Sequence, residues 1–211
     1  PSYINSFELG YSIQRKKFTI NPTLYYRKTE DDVKMLVYRP DARTDEFITR
    51  PINLGTDTRY GLDLNATADA TSWLKLMANL DIFGYKTDGE FLYDAINETG
   101  ATQQYRRNFV GDGFSARARL ASTFKIDKTF SVQLQGMYRA GQKTAQQEVK
   151  DMYVLNLGAS KTIWKGNGTL AFNVQDILNT RNRTVFTYDP EYTRRSYMQF
   201  MPRQFSLSLT Y

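Results

Sequence analysis

The chain has 211 residues, a net charge of +6 and a mean hydropathy of -0.55, and its 41% hydrophobic and 24% charged residues are typical of a soluble protein. It contains no cysteine and no histidine, which excludes disulfides, thiolate metal sites and most nucleophilic triads, so we expect no enzyme, metal site or cofactor. No run approaches the roughly 20 apolar residues of a transmembrane helix, and no basic run indicates nucleic acid. The 15 Tyr and 13 Phe against 2 Trp are typical of aromatic girdles at a membrane surface, and equally of carbohydrate-binding β-sandwiches.

The first two predicted strands alternate apolar and polar residues and meet at a basic turn, residues 15–17. Such alternation gives a strand one apolar and one polar face. Pro22 falls inside the second strand, and because proline has no N–H to donate, we expect a bulge or a missing hydrogen bond there. We expect this strand to continue through residues 33–37 and a longer connection to follow at 39–54. The apolar positions are Phe7, Leu9, Tyr11, Ile13, Phe18, Ile20, Leu24 and Tyr26, then Val33, Met35 and Val37.

The cleanest predicted hairpin spans residues 60–86, where two alternating runs are joined by a tight turn at 69–72. Residues 87–113 then form a long connection rich in Gly, Asp, Asn and Tyr, beyond the roughly 12 to 15 residues usual for a loop without structure. The apolar positions of this hairpin are Tyr60, Leu62, Leu64, Ala66, Ala68, Leu74, Leu76, Ala78, Leu80 and Ile82.

Four further strands are predicted at 114–125, 130–139, 153–159 and 170–174, and short turns join the first to the second and the third to the fourth. A polar loop is expected at 141–150 and a last long loop at 176–195. The chain closes through residues 197–211, whose end, RQFSLSLTY, shows the strictest alternation in the sequence. Its apolar positions are Phe205, Leu207, Leu209 and Tyr211.

These segments make about nine strands, and their connections alternate between short and long. Bacterial outer-membrane barrels show this asymmetry, with short periplasmic turns and long extracellular loops, and only every second residue of their strands meets lipid. In a soluble β-sandwich, nothing requires short and long connections to alternate. We therefore predict an all-β fold, an antiparallel up-and-down transmembrane β-barrel segment. The charged positions opposite the apolar face would line its lumen or hold an internal plug: Arg59, Asp63, Lys75, Asp81, Arg117, Arg119 and Arg139.

The long connections carry aromatic and arginine side chains, which make good recognition surfaces. We predict that they contact a ligand at the barrel mouth, and the alternative is that they pack against one another. The candidates are Tyr93, Tyr105, Arg106, Arg107, Phe186, Tyr188, Arg194 and Arg195, with Phe109 and Tyr192 beside them. The residues expected to form interfacial girdles are Tyr11, Tyr26, Tyr60, Trp73 and Tyr138.

Acidic residues suggest two further sites. In residues 176–179, Asp176 is expected to cap a turn and Asn179 to accept left-handed geometry, and the alternative is ligand contact. The carboxylate pairs Asp31–Asp32, Asp88 with Glu90, and Asp189 with Glu191 could bind a cation, but no calcium-loop spacing supports this, and such pairs are usually solvated.

Three stretches resemble the C-terminal end of TonB-dependent outer-membrane transporters. NVQDILNTRNR, residues 173–183, is similar to the valine–x–aspartate–aliphatic–aliphatic/aromatic–asparagine segment that precedes the last strand of those proteins, through Val174, Asp176, Ile177, Leu178 and Asn179. The terminal strand, which ends on an aromatic residue, resembles the signal read by the outer-membrane assembly machinery. The hairpin at 60–86 is similar to barrel hairpins of the same family.

This resemblance implies an outer-membrane protein for energy-coupled uptake of a scarce nutrient, such as a metal chelate, an oligosaccharide or a peptide. About nine strands cannot close a barrel of about 22, so we expect residues 1–211 to be the C-terminal part of a β-barrel domain, with the signal peptide and plug domain absent from it. The implied partners are outer-membrane lipid, the plug of the full-length chain, TonB through the missing N-terminal region, the assembly machinery and a surface lipoprotein. The alternatives are a passive porin or adhesin barrel and a secreted carbohydrate-binding β-sandwich.

Overall fold

The computed structural model describes residues 1–53, 55–144, 147–188 and 193–211, except for the side chain of Leu36. Most of these residues lie in strands, as their alternation of apolar and polar side chains predicts. No helix in these ranges is long and apolar enough to cross a membrane. One 3-10 turn covers Trp164–Gly166. The strands are β1 (Tyr3–Gly10), β2 (Ile13–Gln14), β3 (Phe18–Glu30), β4 (Val33–Tyr38), β5 (Ile48–Asn53), β6 (Thr56–Asp69), β7 (Leu74–Asp88), β8 (Glu90–Ile96), β9 (Thr102–Asn108), β10 (Gly111–Lys125), β11 (Phe130–Arg139), β12 (Gln142–Lys143), β13 (Gln147–Val149), β14 (Met152–Ile163), β15 (Gly168–Gln175), β16 (Asn182–Tyr188), β17 (Thr193–Gln199) and β18 (Gln204–Thr210).

One antiparallel sheet, here the main sheet, contains the strands predicted from the sequence. Its order is β1-β3-β6-β7-β10-β11-β14-β15-β18, with the short β2 also paired to β3. Each strand of the main sheet therefore pairs with the preceding and following main-sheet strands in the chain, which is the up-and-down arrangement. Within the described residues the path has nine strands, so the predicted number is confirmed. Its edges are β1 and β18, and both run in the same direction.

The connections of the main sheet confirm the predicted alternation of lengths. Short turns lie at one end, called here the short-turn end, at residues 15–17, 70–73, 126–129 and 164–167. Long connections lie at the other, the long-connection end, at 31–55, 89–110, 140–151 and 176–203. β7 and β10, at 15 residues each, exceed the roughly 9 to 11 residues needed to span a bilayer.

The long connections contain β-structure where loops were predicted. β4 pairs with β5, β8 pairs with β9, and β12, β13, β16 and β17 form a separate four-stranded sheet, called here the mouth sheet. The prediction that the second strand continues through residues 33–37 is wrong, because β3 ends at Glu30 and Asp31 adopts a left-handed φ of 51° that turns the chain away. The prediction that 197–211 is one closing stretch is also wrong, since Tyr197 belongs to β17.

The apolar face of the main sheet is exposed, and this decides which medium it meets. Phe7, Leu9, Phe114 and Leu207 are 67%, 74%, 75% and 70% exposed, and no second sheet of the described chain covers them. In a soluble sandwich this face would form the core. Exposing a patch of this extent to water costs about 25 cal/mol of free energy for each Å² of apolar surface. Such a face is therefore suited to the hydrocarbon of a membrane. The residues expected in the girdles, Tyr11, Tyr26, Tyr60, Trp73 and Tyr138, are exposed on this side.

Pro22 interrupts one ladder without shifting its register. Gly10 of β1 lies opposite Thr23, and Ile13 of β2 lies opposite Ile20, so both short strands keep the same alignment with β3. Tyr11 N donates to Pro22 O at 2.9 Å, but the proline has no N–H to return. The predicted missing hydrogen bond is confirmed, and no bulge is needed.

Substitution of Gly61 should weaken the main sheet. A Cβ at Gly61 would meet the Ile82 carbonyl oxygen and lie 2.8 Å from Phe83 Cβ, whereas a Cβ at Gly136 would have only Leu155 Cδ1 near it, at 4.0 Å. We expect Gly61→Ala to lower the free energy of unfolding by about 1–3 kcal/mol, and Gly136→Ala to leave it nearly unchanged. Urea unfolding of the full-length protein in detergent micelles measures both, and equal midpoints for the two variants would contradict the packing described.

Candidate functional site

An aromatic and arginine cluster joins two hairpins at the long-connection end. In the β8–β9 hairpin, Tyr93 lies opposite Tyr105, and Phe91 lies opposite Arg107. The Tyr93 ring is 5.7 Å from Tyr105 and 4.9 Å from Tyr38 of β4. Backbone hydrogen bonds also join the hairpins, since Ala42 N donates to Ile96 O at 2.8 Å. These contacts make one folded unit of both connections.

Arginine guanidinium groups complete this cluster. Arg50 lies 5.3 Å from the Tyr38 ring and 5.6 Å from the Phe91 ring, and Arg107 lies 6.0 Å from the Tyr93 ring. Arg106 points to the opposite face of the hairpin, remains exposed and lies 3.2 Å from Glu90. Tyr93 thus packs against the other connection, whereas Tyr105 and Arg107 pack on Tyr93 within their own hairpin, and the contact of all three with a ligand stays a prediction. Arg106 is accessible from outside.

The mouth sheet holds the second group of candidates. Phe186 is flanked by two cations, with Lys150 Nζ 5.4 Å and the Arg195 guanidinium 5.9 Å from its ring. Tyr188 donates its hydroxyl to Glu148 Oε2 at 2.8 Å, and this bond raises the pKa of Tyr188. The pKa of Glu148 is lowered, first by its hydrogen bond from Lys150 and then by that from Tyr188. These contacts tie β13 to β16.

The remaining residues of this group differ in their surroundings. Arg194 lies opposite Thr187 on the other face of the β16–β17 pair, and both Arg194 and Arg195 are exposed. Phe109 is half-buried and lines a cavity at the mouth. Tyr192 and the carboxylate pair Asp189 with Glu191 lie outside the described residues.

The mouth sheet is fastened to the polar face of the main sheet, a contact that sequence reasoning missed. Tyr85 of β7 donates its hydroxyl to the Lys143 carbonyl at 2.8 Å and accepts from Lys143 N at 2.9 Å. Gly111 lets this segment approach, because a Cβ there would lie 2.7 Å from Thr144 Cα. A cavity of about 380 Å³ opens beside the contact. Its lining includes Val33, Lys34, Met35, Thr87, Phe109 and Arg183.

The polar face carries a network around the buried carboxylate of Asp57. Asp57 is 8% exposed and accepts from Arg59 Nε and from the Thr87 hydroxyl, both at 2.9 Å. Lys34 Nζ lies 3.7 Å away. Phe83, which is 2% exposed, lies under the guanidinium groups of Arg59 and Arg117, at 5.8 and 5.2 Å. The sequence signal was the placing of two aromatic residues, Phe83 and Tyr85, in the polar register of β7.

Arginines face one another across this polar face. The register places Arg27 opposite Arg59, and Arg117 opposite Arg139. Glu8 lies 3.8 Å from Arg27, and Asp81 lies 4.0 Å from Arg117. The positive charges of Arg117, Arg183 and Arg59 act on Arg139, and in the described part of the chain it has no carboxylate within ion-pair distance. Like charges directly opposite repel, so the wall here is electropositive.

Asp176 forms the turn that precedes the last long connection. It is 2% exposed, with Oδ1 accepting from Thr180 N and Oδ2 from Arg181 N, both at 2.9 Å. Asn179 has a φ of 55°, the left-handed geometry that was predicted for it, and Asp176 adopts the same geometry with a φ of 53°. The Asn179 side chain accepts from Gln199 and Arg203 N, both at 3.1 Å. The capping interpretation is confirmed, and the buried carboxylate faces backbone rather than an open site.

Two of the other acidic candidates pair with nearby cations. Asp32 lies 2.6 Å from Lys34, and Glu90 is the partner of Arg106. In the β4–β5 connection, hydrogen bonds from Arg43 lower the pKa of the Asp41 carboxyl to about 2. Among the described residues, no group of three or more acidic side chains could hold a metal ion.

Comparison with known proteins agrees with this fold. A family model described as "Outer membrane protein beta-barrel family" matches residues 1–211. The crystal structure of the ferric-catecholate import receptor Fiu from E. coli K12, in its open form, matches with a TM-score of 0.51 at 10% identity and covers 99% of this chain. This chain spans 38% of the length of that receptor chain, and at this identity the likeness shows the fold alone. No curated protein matches significantly.

Two arginines of the polar face should respond oppositely to neutralisation. Arg59→Gln removes a charge-assisted hydrogen bond from buried Asp57, so we expect a loss of about 1.5–3 kcal/mol in the free energy of unfolding. Arg139→Gln removes the repulsion between Arg139 and Arg117 and leaves no carboxylate without its partner. We therefore expect the free energy of unfolding to rise by about 0.2–1 kcal/mol. Unfolding midpoints in detergent at low salt measure both, and a destabilised Arg139→Gln variant would show that an acidic partner sits on Arg139.

The Asp176 turn should be sensitive to loss of its carboxylate. Asp176→Ala leaves two backbone N–H groups without acceptors in a buried position, and we expect a cost of about 1–3 kcal/mol for each. Asp94→Ala, at an exposed carboxylate in β8, is the matched control and should be nearly neutral. Heat-induced loss of the fast-migrating folded band on gels reports the difference. Similar melting of both variants would argue against a capping role.

Proposed function

Because the chain belongs to the outer membrane protein beta-barrel family, we propose that it supplies part of the wall, lumen lining and mouth of a TonB-dependent receptor. Such a receptor takes up a scarce nutrient from outside the cell by energy-coupled transport, without covalent chemistry. The proposed substrate is a metal chelate, an oligosaccharide or a peptide. The family places the protein in the outer membrane, where lipid covers the exposed apolar face of the main sheet.

The observation that carries the proposal is the structured mouth. Its connections are folded into hairpins and a sheet, and Tyr85 ties that sheet to the polar wall through Lys143. A mouth built in this way narrows the opening and presents a fixed surface, as capture of a specific ligand requires. A passive pore needs only an open, hydrated lumen.

The direction of the two edge strands also supports a barrel with further strands. The two edges of the main sheet, β1 and β18, run in the same direction, and barrels of this class have even numbers of antiparallel strands. Further strands must therefore stand between these edges in a closed barrel. The match to 38% of a receptor chain that imports a ferric catecholate supports the same conclusion.

Within the mouth, we propose that accessible arginines make the first contact with a ligand. Arg106, Arg194 and Arg195 are exposed, whereas Tyr93, Tyr105, Arg107, Phe186 and Tyr188 hold the mouth in shape through the contacts described. The proposed partners are a plug domain of the full-length chain, TonB, a surface lipoprotein and the assembly machinery acting on β18.

The full-length protein distinguishes a receptor from a passive porin. Reconstituted into planar lipid bilayers, a plugged receptor should show no steady ion conductance, and it should bind the purified periplasmic domain of TonB in a biosensor assay. Steady conductance without TonB binding would replace this proposal by the porin alternative. A monodisperse protein without detergent would exclude both.

Transport itself can be tested in cells that express the full-length protein. Labelled ferric chelates, oligosaccharides and peptides are offered separately, and accumulation of one class should stop when the proton-motive force is dissipated. Replacing Arg106, Arg194 and Arg195 by Ala should reduce initial uptake about tenfold if these residues capture the ligand. Replacing exposed Lys16, Lys17 and Lys128 at the opposite end is the control and should not change uptake.

A further inference from the structure

The two ends of the main sheet differ sharply in charge. The short-turn segments, residues 13–19, 68–75, 124–131 and 161–169, carry eight Lys or Arg against two Asp. The long connections, residues 31–55, 89–110, 140–151 and 176–203, carry thirteen Lys or Arg against thirteen Asp or Glu. The positive net charge of the chain therefore resides largely at the short-turn end. This asymmetry is independent of the nutrient and of the mouth.

The cations at this end stand directly beyond the apolar face. Arg15 N donates to Phe18 O at 2.8 Å, so Arg15 continues the apolar register of Ile13. Lys161 lies opposite Phe130 and Leu170 on the apolar side, with its Nζ 5.6 Å from the Phe130 ring. Long cationic side chains at such positions extend along apolar surface and bring the charge to the polar boundary. The apolar face thus ends in a cationic band.

Aromatic residues mark the depth of this band. Trp73 stacks on Phe124 with ring centroids 6.2 Å apart, and Trp164 meets Tyr211 edge-on at 5.6 Å. Tryptophan and tyrosine settle at the level of lipid head groups. Lys165 follows Trp164 in the same turn, and the other turn lysines lie in short turns at the same end of the main sheet. Their ammonium groups therefore belong to the end of the sheet that the head groups surround.

Among the residues that the structure describes, most of these cations have no acidic partner within ion-pair distance. Lys161 lies 3.2 Å from Asp127. Asp127 is held in its turn by hydrogen bonds from Thr129 and Phe130 N, which, with Lys161, lower its pKa. In the part of the chain that the structure describes, no ion pair involves the four exposed turn lysines, here named the basic rim: Lys16, Lys17, Lys128 and Lys165.

We propose that the basic rim binds anionic phospholipids of the periplasmic leaflet of the outer membrane through their phosphate groups. In this family of folds the short turns face the periplasm, which sets the rim against phospholipid. Clustered Lys and Arg beside an apolar surface attract anionic lipid, and each contributes through its charge. Lipopolysaccharide also carries phosphate, but it meets the other end of the barrel, where charges are balanced. The rim binds the lipid that surrounds the receptor, whatever the receptor transports.

The test uses the full-length protein in nanodiscs of phosphatidylcholine mixed with phosphatidylglycerol, and native mass spectrometry counts the lipids that remain bound. Wild-type protein should retain phosphatidylglycerol in excess of its share of the bilayer. The variant K16Q/K17Q/K128Q/K165Q should lose this preference by about tenfold. The matched control R43Q/R106Q/R194Q/R195Q removes four exposed cations from the long-connection end and should keep it.

Two further arms separate the remaining outcomes. The variant K16R/K17R/K128R/K165R keeps the four positive charges and should retain the wild-type preference for phosphatidylglycerol. Because it alters the same four positions, it distinguishes loss of charge from a folding defect caused by substitution there. Added inorganic phosphate should not displace the lipid at equal phosphate concentration. Equal retention by wild type and Gln variant, loss in the control variant instead, or displacement by free phosphate would each overturn the proposal.

Discussion

The structure depends on one constraint, the pairing of every strand of the main sheet in a medium that offers no hydrogen bonds. Hydrocarbon cannot satisfy a free N–H or C=O group, so the backbone must be paired within the sheet. The long ladders meet this need, and the β7–β10 register runs without a shift from Gly111 to Phe124. The same medium explains why apolar side chains are exposed on the outside. The interruption at Pro22 is tolerated because it removes one donor and leaves the register intact.

With the apolar side chains outside, the polar face becomes the interior and must satisfy its own charges. Asp57 does so through Arg59 and Thr87, and Phe83 is buried beneath two guanidinium groups rather than in an apolar core. Arg139 is the exception, because it lies opposite Arg117 and has no carboxylate within ion-pair distance in the described chain. The mouth sheet depends on this interior too, since its attachment to the wall passes through Tyr85. Wall, charge network and mouth are thus one connected structure, with lipid on one side.

Sequence reasoning predicted the parts of the fold that local alternation encodes. The nine strands of the main sheet, the alternation of connection lengths, and the turn capped by Asp176 with a left-handed Asn179 are all visible in short segments. The strands inside the connections were missed, because their partners lie far apart in the chain: Glu148 pairs with Phe186 across a separation that no local pattern reports. The continuation through residues 33–37 failed for a similar reason. Its alternation belongs to a real strand, but Asp31 turns that strand out of the main sheet.

The sequence by itself determined which residues share a face, where the strands of the main sheet turn, and which end carries the excess of cations. These features follow from a period of two and from turn chemistry, and both act over a few residues. Only the tertiary structure decided that, within the described residues, the apolar face stays uncovered and Arg139 has no carboxylate within ion-pair distance. It also decided that Tyr93 and Phe186 hold the mouth while Arg106 and Arg194 are exposed. Those outcomes depend on register between distant strands and on how connections fold back over the sheet, which the order of residues specifies only through the whole assembled chain.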